Sequence, residues 1–293
     1  MIRRLTILLL ATVVLAAQTR IRVDVELQQL TVTVADQNGV LVKGLEARDF
    51  MLEVDGAPQP IAHFSEDRET PVTLGILIDR SRSMVDPVAE GLSGLRAASG
   101  ITRVLLRLAQ PEDEFILMSF SNGFDVERNF TSNPGLITDA LSKLKGGSGT
   151  NMSRALQESL SQLKKGKHRK KALLLITDAL IEGDPNALRS AVRSSQALVY
   201  TFAIQSLDPG GYDVKSVMDV LASESGGRSE LFDMRSERVI DQMVAYVREI
   251  SDELRGQYTV GYYPSDTARF STIVVRTTSP SHQVRFRRGI NIP

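Results

Sequence analysis

Residues 72–84 read Val-Thr-Leu-Gly-Ile-Leu-Ile-Asp-Arg-Ser-Arg-Ser-Met. The uncharged run Val72 to Ile78 ends abruptly in Asp79 and two alternating serines. A strand apolar on both sides belongs inside a sheet covered on both faces. The same texture recurs outward from it. Glu114 to Phe120, Lys171 to Thr177 (with Ala172-Leu-Leu-Leu-Ile176), Leu198 to Ile204 and Glu230 to Phe232 are further strand candidates. Between them, Asp86 to Ala109, Pro134 to Leu144, Asn151 to Leu163, Asn186 to Ser195, Val214 to Ser223 and Ser236 to Leu254 carry helical patterns. Strands alternating with helices predict an α/β fold, a doubly wound, mostly parallel sheet.

On either side the period changes to two. Ile21, Val23 and Val25 alternate with charged residues, Leu30, Val32 and Val34 repeat the pattern, and Phe50, Leu52 and Val54 come next. Asn38-Gly39 predicts a hairpin leading into Val40 and Val42, and Asp55-Gly56 a strand end. After the α/β region, Tyr258 to Tyr263, Ile273 to Thr277 and Val284 to Arg287 return to strands. A few short strands alone are marginally stable. The simplest organisation is therefore an α/β domain (71–256) inserted into a small antiparallel β domain, built from 18–70 and 257–293.

Residues 1–17 predict a secretory signal peptide. Arg3 and Arg4 precede the apolar stretch Leu5 to Ala17, and Ala16-Ala17 supply small residues for cleavage. That stretch is shorter than the roughly 20 residues of a membrane span, and no later one is long and apolar enough. The expected destination is periplasmic or extracellular. With 42% hydrophobic and 24% charged residues, the 293-residue chain supports a packed core rather than disorder. It has no cysteine, which excludes disulfides, thiolate metal sites and cysteine nucleophiles. Its 35 basic residues balance 35 acidic ones, so overall charge gives no reason to expect nucleic acid.

The chemistry gathers where the predicted parallel strands end, the edge at which open α/β sheets bind ligands. Asp79, Ser81 and Ser83 leave the first strand, and Asp178 leaves the strand ending at Thr177. The loop Lys145-Gly-Gly-Ser-Gly-Thr150-Asn151 brings Thr150 to the same edge. Two carboxylates and three hydroxyls form a hard-oxygen donor set suited to magnesium, with manganese or calcium as alternatives. Each residue also has a plain structural use, since Asp, Ser, Thr and Asn cap helices; Ser83 and either Thr150 or Asn151 stand before predicted helices.

Together these five residues resemble the metal-ion-dependent adhesion site of von Willebrand factor A domains, Asp-x-Ser-x-Ser followed by a Thr and an Asp on separate loops. Residues 71–256 carry the resemblance. The flanks GLEARDFMLEVDGAPQPIAHFSED (44–67) and ELRGQYTVGYYPSD (253–266) are similar to a related family of exported bacterial proteins. The resemblance implies that Ser81, Ser83 and Thr150 ligate the ion directly, and Asp79 and Asp178 directly or through water. It also implies that a protein partner supplies an Asp or Glu to the last site. Arg82 stands where Gly is frequent in this motif, and Ala179 where Gly often follows the final Asp.

Other readings have their own features. A hydrolase can use two carboxylates with magnesium, but the chain lacks G-x-S-x-G and a phosphate-loop G-K-[ST]. A structural interaction protein with a vestigial site is the alternative to metal-dependent adhesion. Lys164 to Lys171 carries six fixed positive charges. It is either a solvated loop or a contact for an anionic surface, and it lacks the aromatics that stack bases. The expected activity is binding rather than catalysis.

Overall fold

A computed structural model describes residues 26–88, 91–178, 185–205, 214–264 and 270–291. The expected signal peptide, the run Ile21 to Val25 and Ala179 lie outside these residues. In chain order the strands and helices are β1 (Gln28–Ala35), β2 (Phe50–Val54), β3 (Ala57–Gln59), β4 (His63–Asp67), β5 (Val72–Asp79), α1 (Arg82–Val85), α2 (Gly94–Arg107), β6 (Glu114–Phe120), β7 (Phe124–Thr131), α3 (Pro134–Leu141), α4 (Met152–Leu163), β8 (Lys170–Thr177), α5 (Pro185–Ser195), β9 (Leu198–Gln205), α6 (Val214–Ser225), β10 (Ser229–Asp233), α7 (Val239–Arg255), β11 (Gln257–Tyr262), β12 (Phe270–Thr277), β13 (Gln283–Phe286) and β14 (Gly289–Asn291).

The central sheet runs β10-β9-β8-β5-β6-β7, parallel except for the antiparallel edge strand β7. Every residue of β5 is buried, the uncharged run Val72 to Ile78 as predicted and Asp79 along with it. Val72, Leu74, Ile76 and Ile78 pack with α2, α3 and α7 through Ile101, Leu105, Ile137 and Val247. The opposite face, with Leu77 and Leu173, packs on α4, α5 and α6 through Leu156, Leu160, Val192 and Met218. After β5 the chain adds β6 on one side, then returns to add β8 on the other. That reversal places a crevice at the carboxyl ends of β5, β6 and β8.

Strands from the two chain ends form two further antiparallel sheets, β13-β1-β11-β4 and β14-β12-β2-β3. Leu30 pairs with Val260, and Leu52 with Val275. Between the sheets lies a separate core of Leu30, Val32, Phe50, Leu52, Tyr258, Val260, Tyr262 and Ile273. Its rings interlock, with Phe50 5.2 Å from both Phe64 and Tyr258.

Two local expectations are corrected. The helix expected over Asp86 to Ala109 is split: α1 ends before Asp86, and α2 begins at Gly94, where the Ser93 side chain accepts from the Arg96 amide at 3.3 Å. Pro87 and Gly91, the latter at φ +75°, interrupt the pattern. The Asn38-Gly39 turn forms, but it leads into a single bridge, Ala35 to Leu41, instead of a hairpin strand, and Val40 is 63% exposed. Arg285, on the edge strand β13, reaches inward to the buried Glu253.

Gly226 and Gly227 turn the chain from α6 into β10. Gly226 sits at φ +86°, and a Cβ on Gly227 would lie 2.1 Å from the Val199 carbonyl oxygen. Because backbone is the obstacle, Gly227→Ala is expected to cost at least about 2 kcal/mol of stability. Urea unfolding checks this, and an unchanged midpoint would contradict it.

Candidate functional site

The crevice at the sheet's switch point is a cup with a buried floor. Asp79 ends β5 at 0% exposure, and Ser81 is also buried. Ser83 is exposed at the rim, with Thr150 and Asp178 half-buried. The Asp79 Oδ1 accepts from the Ser81 amide at 2.8 Å, a local turn that directs the chain back over the strand end. Its Oδ2 accepts from the Thr177 hydroxyl at 2.5 Å. From there the polar contacts climb outward. The Ser81 and Ser83 hydroxyls are 3.2 Å apart, and the Ser83 hydroxyl donates to Asp178 Oδ1 at 3.0 Å.

The structure thus brings Asp79, Ser81, Ser83 and Asp178 into one hydrogen-bonded cluster. Thr150 is on the adjoining loop. That loop is pinned by its backbone: Gly147 donates to the Arg80 carbonyl at 2.7 Å, Asn122 to the Ser148 carbonyl at 3.0 Å and Asn151 to the Ser121 carbonyl at 2.8 Å. Gly149 supplies φ +69°, and a Cβ on Gly147 would meet the Ser121 hydroxyl at 2.4 Å. Close approach therefore explains glycine at 147. Asn151, one of the two caps open in the sequence, accepts from the Arg154 amide and starts α4. Ser83 lies inside α1, so its hydroxyl is free of capping duty.

Two contributors went unread in the sequence. Thr177 bonds the floor carboxylate, and Ser121-Asn122 seat the glycine loop. The available signal was position: both directly follow or end strands that neighbour β5.

Electrostatics separates the floor from its surroundings. Burial, the largest cause, pushes the Asp79 carboxyl up to about 6; the Thr177 and Ser81 hydrogen bonds oppose this, and the nearby Asp178 reinforces it. Among the described residues, no Lys or Arg pairs with Asp79. Arg80, next in sequence, turns away to Ser119 at 3.0 Å and to Asp125. Arg82 stays at the rim, 88% exposed, 3.5 Å from Asp86. A buried carboxylate without a counter-cation, beside hydroxyls open to solvent, fits a small hard cation. Among the described residues, no group of three or more His, Cys, Asp or Glu gathers here or elsewhere, so the candidate cluster has two carboxylates and otherwise hydroxyl donors.

In the basic run Lys164, Lys165, Lys167 and Arg169 are exposed, as a solvated loop predicts, whereas its last two residues enter β8 and are engaged. Lys170 is 6% exposed and donates to the Leu254 carbonyl at 2.6 Å, and Lys171 donates to the Gly166 carbonyl at 3.0 Å. His168 contacts the Glu112 carbonyl at 2.7 Å and His282 the Thr277 hydroxyl at 3.1 Å. His63 is on β4, in the terminal-strand sheet.

Part of the chain is similar to von Willebrand factor type A domains. A family model of that description matches residues 74–180, which span β5, the glycine loop and Asp178. Proximal thread matrix protein 1 from the mussel byssus is similar in structure, with a TM-score of 0.51 at 14% identity, over 65% of this chain and 50% of that one. A conserved hypothetical protein, BatB from Bacteroides thetaiotaomicron, gives 0.49 at 16% identity, over 63% and 100% of the two chains. A von Willebrand factor type A protein from Catenulispora acidiphila gives 0.49 at 13% identity, over 92% and 74%. No curated protein matches the chain.

Proposed function

We propose that the chain is an exported, metal-ion-dependent binding module. Asp79, Ser81, Ser83, Thr150 and Asp178 would hold magnesium, with manganese or calcium as substitutes, and a protein partner would supply an Asp or Glu carboxylate to the ion. The observation that carries this reading is the fully buried Asp79, uncompensated by any described Lys or Arg, beneath hydroxyls that lead from the buried Ser81 to the exposed Ser83. Two carboxylates bring a divalent ion to about zero net charge, so an incoming acidic side chain meets no net repulsion and an ion that favours oxygen. Here the metal supplies Lewis-acid attraction for that carboxylate; the chain supplies its position.

Binding rather than catalysis is supported by where the candidate bases lie. His168 and His282 are held at other loops, and His63 is on the terminal-strand sheet. Export rests on the Arg3-Arg4 and Leu5 to Ala17 pattern. Among the described residues, no helix is long and apolar enough to cross a membrane.

The test is magnesium titration by calorimetry. Wild type is expected to bind one ion, Asp79→Ala and Asp178→Ala to bind none, and Ser83→Ala or Thr150→Ala to bind about tenfold more weakly. Equal affinity in all five proteins, or no binding by wild type, overturns the proposal. The second outcome favours a structural reading, in which the 3.0 Å Ser83–Asp178 hydrogen bond holds the cluster together unaided.

A further inference from the structure

At the end of the central sheet opposite Asp79, the sheet β13-β1-β11-β4 turns a polar face towards the first residue of β8. Leu30, Val32 and Val34 point into the core between the terminal sheets. Gln29 and Thr31, by strand alternation, point the other way. Both line a cavity of about 220 Å3, shared with His63, Asp67, Arg169, Lys170 and Arg287. This is a different surface from the metal site, and nothing in the proposed function uses it.

Its charges do not balance. Lys170 Nζ stands 3.8 Å from Asp67 Oδ2. Asp67 also accepts from Ser65 at 3.1 Å and Thr259 at 2.8 Å, so its carboxylate is fully engaged. Arg169 is exposed and Arg287 half-buried, and among the described residues neither has an ion-pair partner. Burial pushes the Arg287 pKa down, opposed only by Tyr262. Burial likewise lowers Lys170 to about 8, against the attraction of Asp67. Lys170 is already engaged by Asp67, by the Leu254 carbonyl at 2.6 Å and by the more distant Asp113 and Glu253, so the uncompensated charge of this partly enclosed space is that of Arg169 and Arg287.

We infer that this cavity binds a small oxyanion of the phosphate class. A desolvated guanidinium is costly without an anion, and its planar fork matches two oxygens of a tetrahedral oxyanion. The volume admits such an ion with its waters and lies below the roughly 300–1,000 Å3 of sites for larger organic ligands. Arg169 and Lys170 belong to the loop and strand of the α/β domain, whereas Arg287 follows β13. A bound oxyanion therefore fastens the terminal-strand sheets to the base of the α/β domain.

The experiment is thermal unfolding of the full mature chain in chelator, which removes any contribution from the metal site. Inorganic phosphate, sulfate, glycerol phosphate, acetate and chloride are compared at equal ionic strength. Phosphate is expected to raise the midpoint above chloride and acetate. A matching rise with glycerol phosphate assigns the source to phosphomonoesters, and its absence to the free ion. Arg169→Gln, at an exposed position, is expected to weaken the apparent affinity about tenfold, and Arg287→Gln to abolish the response. If Arg287→Gln fails to fold, Arg169→Gln carries the test. Equal midpoints in phosphate, acetate and chloride, or a phosphate response undiminished in the variants, overturn the inference.

Discussion

Asp79→Asn is expected to make the metal-free protein more stable at pH 7.5 than the wild type, while removing its response to magnesium. The Asp79 carboxyl is raised from its ordinary 3.8 to about 6 in the folded protein, chiefly by burial. The folded state therefore holds the proton more tightly than the unfolded state. Stability from this group is present below about pH 4 and is lost as pH rises through about 6. At neutral pH the ionised carboxylate then costs the apo fold on the order of 3 kcal/mol. Asn keeps the shape and carries no charge; its Oδ1 can still accept from the Ser81 amide, and its Nδ2 donates to the Thr177 hydroxyl, reversing that hydrogen bond. Recovery of about 1–3 kcal/mol is expected. Urea unfolding in chelator at pH 7.5 and 4.5 checks both parts. The variant should lead at 7.5, and the gap should close at 4.5, where the wild-type carboxyl is protonated. A variant less stable than wild type at pH 7.5 would contradict this. A binding site that costs its own fold stability when empty is expected where a cation completes it.

The second large effect is at Glu253. This carboxylate is 1% exposed, near the end of α7, and gathers the Tyr200 hydroxyl at 2.8 Å, the Thr33 hydroxyl at 3.3 Å and the Arg285 guanidinium. The three partners come from β9, β1 and β13, so one side chain ties the central sheet to the terminal strands. Glu253→Ala leaves a guanidinium with no carboxylate and two hydroxyls without an acceptor. Breaking a buried pair in this way costs about 3–5 kcal/mol. The exposed pair Arg276–Glu53, 57% and 30% open at its two side chains, is the contrast. Glu53→Ala there should cost less than about 1 kcal/mol. Chemical unfolding of the two variants is expected to separate them clearly, and equal losses would show that Glu253 is not the tie described.

Much of the fold was legible along the chain, for a physical reason. β5 and β8 are buried on both faces, so their apolar runs are unbroken and their ends are marked by the first carboxylate. The terminal strands alternate because one face is core and the other is polar. The features that escaped depend on partners distant in sequence. β7 was not predicted because Phe124–Thr131 is an edge strand with charged residues, and its pairing with β6 is irregular around Leu117. Lys170 read as part of a solvated basic run, yet it is buried by Leu254 and Asp67, whose positions the local sequence does not show. Glu253 was given no individual role, since its partners lie on β1, β9 and β13. The five candidate residues were nameable as a set because each follows or precedes a recognisable strand or helix, and four of them, Asp79, Ser81, Ser83 and Asp178, meet in one hydrogen-bonded cluster. Thr177 was not given a role, since its contribution depends on Asp79 lying on the neighbouring strand.

The most direct test of the central claim is thermal unfolding of residues 18–293 with excess magnesium and with chelator, beside Asp79→Ala. An ion bound only by the folded state, at about 100 times its dissociation constant, adds about 2.7 kcal/mol. The predicted result is a clear rise in the wild-type midpoint with magnesium and none in the variant. Equal midpoints for wild type in magnesium and in chelator would contradict metal binding at Asp79.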